Sequence, residues 1–110
     1  MNDYIEVVTT VESQEQARAM ARGLVASRLA ACVQIDGPVE STYHWQGTME
    51  SATEWRCTIK TQRGLFSDVQ ELIQQLHTYE VPEILAKPIV VGNEAYLDWM
   101  TDELETRERD

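Results

Sequence analysis

The segment His77-Thr78-Tyr79-Glu80-Val81-Pro82-Glu83 holds the densest chemistry in the chain. Imidazole and carboxylate together suit borderline divalent ions, and Pro82 stiffens the backbone that carries them. His77 and Glu83 are therefore candidate metal donors. Two donors do not make a site, and their spacing fits no standard zinc pattern. His77 would serve equally well as a helix C-cap, its partial charge meeting the helix dipole. Cys32 and Cys57 offer thiolates for a soft metal, or are buried thiols that only pack. His44, between Tyr43 and Trp45, can ligate or pack. Lys60 can draw an anion into a cleft walled by Tyr79, Tyr96 and Trp99, or be a solvated lysine beside aromatic core. Glu80 and Glu83 are close enough for acid–base work, with nothing nearby to support it. There is no Ser-His-Asp arrangement, no Cys-His pair with an evident orienter and no glycine-rich phosphate loop. An enzyme is the least expected class.

Residues 30–61 must position Cys32, His44, Cys57 and Lys60, and they read as one long hairpin. Val33, Ile35, Val39, Thr42, Tyr43 and Trp45 on one arm face Thr53, Trp55, Thr58 and Ile59 on the other, the β-branched and aromatic content of strands. Gln46-Gly47-Thr48 marks the turn. Odd positions carry most of the apolar side chains on both arms, so odd must face odd. That parity requires a three-residue loop or a bulge, not a simple two-residue turn. It puts Cys32 and Cys57 on opposite faces, unless Pro38 hosts the bulge and reverses them. An arm of this length reaches about 45 Å, against a radius of gyration of about 13 Å for a domain of this size. The hairpin must bend, at Asp36-Gly37-Pro38, or be covered by another subunit, and both are expected.

The remaining elements follow from periodicity. Tyr4 to Thr10 is the first strand. Ser13 and Gln16 form a capping box ahead of the stripe Ala17, Met20, Ala21, Leu24 and Val25, a helix ending near Arg28. Gly64 opens a second helix with the stripe Leu65, Val69, Leu72, Ile73 and Leu76. Residues 83–91 are a fourth strand, and Pro88 within it points to an edge or a bulge. Gly92-Asn93 caps a third helix over residues 93–103 that carries Tyr96, Leu97, Met100 and Leu104. Residues 105–110 are a frayed polar tail. The order βαββαβ plus a C-terminal helix predicts an α+β, ferredoxin-like sandwich in a single domain over residues 1–110. Its second strand lies on an edge. A long edge strand with few protective charges invites a further chain, so self-association is expected.

The 110 residues carry a formal charge of −10. Such a surface repels phosphate backbones and anionic lipids, which disfavours nucleic acid and membrane as partners, and attracts cations. No signal-peptide pattern opens the chain and no apolar run approaches a membrane span. Two cysteines that do not meet suggest a reducing compartment, with the cytoplasm as default.

Five segments are specific enough for a resemblance: Arg28-Leu29-Ala30-Ala31-Cys32-Val33, Tyr43-His44-Trp45-Gln46-Gly47, Ile59-Lys60-Thr61, His77-Thr78-Tyr79-Glu80-Val81-Pro82-Glu83-Ile84 and Tyr96-Leu97-Asp98-Trp99. Together, and in this order, they resemble the CutA (CutA1) family of divalent-cation tolerance proteins over nearly the whole chain. The resemblance implies a PII-like homotrimer whose hairpins pair between subunits, and a role in tolerance of copper and other divalent ions. The family's copper-site positions fall here on Thr9 and Leu76-His77, and only His77 carries a metal-binding side chain. Two functions follow as expectations. One is a metal-binding trimer using His77, Glu83 and Cys32. The other is a PII-like small-molecule module with Lys60, Tyr79, Tyr96 and Trp99 lining a pocket between subunits.

Overall fold

A computed structural model describes residues 4–105. The expected tail, residues 105–110, falls outside the description from residue 106 onward. Strands β1 (Tyr4–Val11), β2 (Cys32–Trp45), β3 (Thr48–Gln62) and β4 (Leu85–Pro88) form one antiparallel sheet in the order β2-β3-β1-β4. Helices α1 (Gln14–Ala26) and α2 (Phe66–Leu76) cover one face, and α3 (Glu94–Glu103) closes one end. This is the expected ferredoxin-like sandwich, with β2 and β4 on the edges.

The core lies between the helices and the odd positions of β1 and β3. Val7, Val11, Cys57 and Ile59 meet Ala17, Met20 and Leu24 of α1 and Val69 and Ile73 of α2. The two helical stripes are those the spacing predicts. Val25 and Leu76, at the ends of their stripes, remain exposed. Ser13 caps α1 by accepting from the Gln16 amide at 3.1 Å. Gln16 reaches back one residue further than a standard box, to the Glu12 amide at 3.4 Å. A 3-10 turn over Arg63–Leu65 precedes α2, so the helix proper begins two residues after Gly64.

The hairpin corrects the expected turn. Trp45 pairs directly with Thr48, leaving a two-residue loop of Gln46 (φ 53°) and Gly47 (φ 82°), the mirror-image geometry that follows strand twist. The parity change sits instead in a bulge, where Gly37 and Pro38 lie opposite Trp55 alone. One extra residue inverts the alternation. Val33 and Ile35 therefore share the core face with Cys57 and Ile59, whereas Val39, Ser41, Tyr43 and Trp45 share the opposite, open face with Glu54. The apolar odd positions of β2 thus do not form one face. Cys32 pairs with Lys60 and Ile35 with Cys57, so the cysteines do lie on opposite faces, because the bulge falls beyond both. Gly37 has φ +156°, and a Cβ there would lie 2.8 Å from Trp55 Cδ1 and 3.1 Å from the Glu54 carbonyl, so only glycine fits.

β4 is four residues long, shorter than the expected span of residues 83–91. Pro82 and Pro88 remove two amide donors, and beyond Pro88 a single further bond, Ile89 N–H to the Tyr4 carbonyl, continues the pairing. Among the described residues no helix is long and apolar enough to cross a membrane.

Candidate functional site

The α2–β4 connection, residues 77–84, folds back over the end of β1 and the base of the hairpin. His77 ends α2 through its backbone, its N–H donating to the Ile73 carbonyl at 2.8 Å. Its imidazole does not serve the helix dipole. Nε2–H donates to the Thr10 carbonyl at 2.8 Å, and Nδ1 accepts from the Tyr79 N–H at 3.1 Å. Both ring nitrogens are thus engaged, which fixes the neutral Nε2–H tautomer. The same clamp aims Tyr79 at the hairpin, where its hydroxyl donates to Glu54 Oε2 at 2.7 Å. Glu54 Oε1 accepts from the Ser41 hydroxyl, also at 2.7 Å. Burial, and then the bond to Glu54, pushes the Tyr79 phenol far above its ordinary pKa and keeps it a donor.

This network floors a cleft of about 750 Å³ between the hairpin and the connection. Tyr43, Trp45, Tyr79 and Val81 give it aromatic and apolar walls, Glu12, Glu54, Glu80 and Glu83 give it carboxylates, and among the described residues no lysine or arginine lines it. On its far side Glu83 feels the charge of Arg56, whose Nη2 pairs with Asp36 Oδ2 at 2.9 Å beside the bulge. That bond holds the Asp36 carboxyl below its usual range.

A second cluster lies at the other end of β3. Lys60 Nζ sits 5.4 Å from the centre of the Tyr96 ring, and Tyr96 and Trp99 are tilted against one another at 5.3 Å, a cation–π arrangement. Cys32 is directly across from Lys60 on β2. The expected pocket residues therefore divide. Lys60, Tyr96 and Trp99 come together, whereas Tyr79 joins Glu54, six residues and about 20 Å away along β3. The expected metal donors divide in the same way, with Cys32 beside Lys60 and His77 and Glu83 on the connection. Among the described residues no three of His, Cys, Asp or Glu converge on one point. Thr9 is fully buried on the core face opposite Cys57, its hydroxyl unpartnered among the described residues. Cys57 is fully buried too, and burial pushes its thiol up to about 11, which makes it a poor thiolate donor. His44 is exposed near the hairpin tip. A larger apolar cleft of about 830 Å³, lined by Phe66, Val90 and Leu97 among others, contains none of the candidate residues.

Glu54 and Ser41 were not legible as site residues. Glu54 occupies an even position next to Trp55 in a strand, the pattern of a solvated side chain. Only the bulge and the returning connection bury it.

Comparison with known proteins agrees with this architecture. The sequence profile of "CutA1 divalent ion tolerance protein" matches residues 5–103. The divalent-cation tolerance protein CutA of Thermus thermophilus is 45% identical over 96 residues, which cover 87% of this chain and 93% of that one. The chloroplastic protein CutA of Arabidopsis thaliana is 38% identical over 87% of this chain, which spans about half of that longer protein (53%). The crystal structure of CutA1 from Oryza sativa superposes with a TM-score of 0.93 at 34% identity, covering 96% of each chain. The chain belongs to the CutA1 divalent ion tolerance family.

Proposed function

We propose that this protein works as a homotrimer that binds divalent cations, copper among them, in clefts between subunits, as part of a response to metal ions. The observation that carries the assembly is the hairpin. Arms of 14 and 15 residues stretch the protomer to 46 × 26 × 24 Å. Beyond the bulge Tyr43, Trp45 and Met49 are 43%, 42% and 68% exposed, and no element among the described residues covers them. The β2 and β4 edges are likewise unpaired, and such edges accept strands. Family membership supports the handling of divalent cations.

One chain assembles no three-donor cluster among its described residues, and this reading puts the ion where two copies meet. Glu83 is exposed and Cys32 half-buried, and neither makes a hydrogen bond or ion pair among the described residues. These two are the readiest donors. His77 can join them only by exchanging Thr10 or Tyr79 for the ion. Calorimetric titration of copper into wild type, Cys32→Ser, Glu83→Gln and His77→Ala tests the reading. Weakened binding in Glu83→Gln or Cys32→Ser supports it, and equal binding in all four overturns it. Two cysteines held on opposite sheet faces, unable to bridge, favour the cytoplasm.

A second reading has its own observation. Lys60, Tyr96 and Trp99 are gathered near one end of β3 and Tyr79 meets Glu54 at its middle, so a second copy that brought the two groups together would complete a small-molecule pocket of the PII-like kind. Retention of the trimer with loss of ligand-induced thermal stabilisation in Lys60→Gln would favour it. Catalysis is not part of either reading.

A further inference from the structure

Arg28 holds a backbone conformation that suits a different residue. It follows the last turn of α1 with φ +64°, the left-handed geometry that glycine or asparagine ordinarily supplies where a helix ends. The amides of Leu29 and Ala30 both return to the Leu24 carbonyl around it, so the turn fixes that geometry. A bulky side chain kept there against strain points to a task for it, and the task lies at α3. Arg28 Nη1 donates to the Glu103 carbonyl at 3.1 Å and to Glu103 Oε1 at 3.0 Å. The Arg28 carbonyl in turn accepts from the Glu105 N–H at 2.7 Å. Side chain and main chain of one residue thus grip the C-terminal end of α3.

The helix needs that grip because its own sequence secures neither end. Among the described residues Asn93 makes no side-chain bond to the cap, no basic side chain stands in the last turn, and Met100 alone of the helix is buried. Asp102 and Glu103 put negative charge against the negative end of the helix dipole. The ten residues of α3 are too few for a helix to persist alone. Leu104 adds a second buried side chain just past the end. The Thr101 hydroxyl adds bonds from Tyr4 at 2.6 Å and Gln62 at 3.0 Å. An element with few buried contacts and exposed polar ties opens at lower free energy than the core. α3 also carries Tyr96, whose ring centre lies 5.4 Å from Lys60 Nζ. We propose that α3 is a lid over the Lys60 end of β3 that opens as a unit, and that Arg28 is the latch that holds it shut. Closed, the Tyr96 ring covers the ammonium; open, Lys60 is released to solvent. The latch is built within one chain and needs neither a bound metal nor a second copy. Its ion pair is half exposed, 59% at Arg28 and 43% at Glu103, so salt loosens it.

Hydrogen exchange of the full chain, read by mass spectrometry in wild type and Arg28→Gly, tests the proposal. Glycine suits φ +64°, so this variant removes the latch while relieving the turn. Its Tm should match or exceed that of wild type. Amides of residues 97–104 should nevertheless exchange roughly fivefold faster, with those of β1 and β3 at the wild-type rate. An arginine that merely stabilised the fold would instead lower the Tm and speed exchange throughout. Acetylation of Lys60 should rise in the variant relative to Lys87, which is exposed on β4. Wild type alone gives a second measure that does not depend on the variant folding: raising salt to about 1 M should speed exchange in α3 and spare β1 and β3. Exchange in α3 that is unaltered by Arg28→Gly, that rises equally in the core, or that ignores salt in wild type overturns the latch. Faster exchange in α3 with Lys60 acetylation unchanged overturns the lid.

Discussion

His77 and Tyr79 turn a short connection into a fixed wall. The imidazole accepts from one backbone group and donates to another, and removing it strands the Thr10 carbonyl and the Tyr79 N–H. His77→Ala should cost about 1–2 kcal/mol in urea unfolding. His77→Asn should recover part of that, since an asparagine oxygen can accept from the N–H two residues on. Tyr79 gives the network a pH signature. Its phenol pKa is raised in the folded chain above the value of about 10 of the unfolded chain. The stability it adds is therefore complete below pH about 10 and is lost as pH rises beyond that. Unfolding free energy measured from neutral to alkaline pH should fall less steeply above that point in Tyr79→Phe than in wild type. Identical slopes would show that Tyr79 does not hold Glu54 in solution.

Among the elements, the bulge in β2 decides which side chains the hairpin presents. It lets Val33 and Ile35 complete the core while sending Val39, Tyr43 and Trp45 to the open face beside Glu54. Gly37 makes this possible, since its φ and the closeness of Trp55 exclude any side chain. Gly37→Ala should destabilise the fold by about 2 kcal/mol or more, lowering the melting temperature on the order of 10 °C in a domain this size. A Tm within a degree of wild type would show that the bulge relaxes freely. β4 works by being short. Four paired residues hold the connection against β1 and leave Val90 and Val91 outside the sheet.

The molecule as a whole is longer than its own helices can cover. Its core sits at one end, and the hairpin beyond the bulge presents aromatic side chains to water, as an interface awaiting its partner does. Replacing the exposed ring in Trp45→Glu adds a charge where a copy would pack and touches no core residue. Sedimentation velocity at micromolar concentration should then show a trimer for wild type and a population shifted to protomer for the variant. A wild-type protein that sediments as a folded protomer would overturn the assembly, and with it any site shared between subunits.

Sequence alone determined the elements and their order. Helical stripes at i, i+4 and i+7, prolines at the ends of the connection and dense β-branched arms are local signals, and each is governed by physics acting within a few residues. The ferredoxin-like topology and the opposite facing of Cys32 and Cys57 followed from those signals. Only the tertiary structure decided where the parity of the hairpin changes, because a two-residue turn with a bulge and a longer loop satisfy the same alternation. Only it showed that His77 serves Thr10 and Tyr79, and that Glu54, a strand residue with the pattern of a solvated side chain, is buried beneath a returning connection. Those facts depend on which distant backbone groups come within hydrogen-bonding range. Sequence spacing carries no record of that distance.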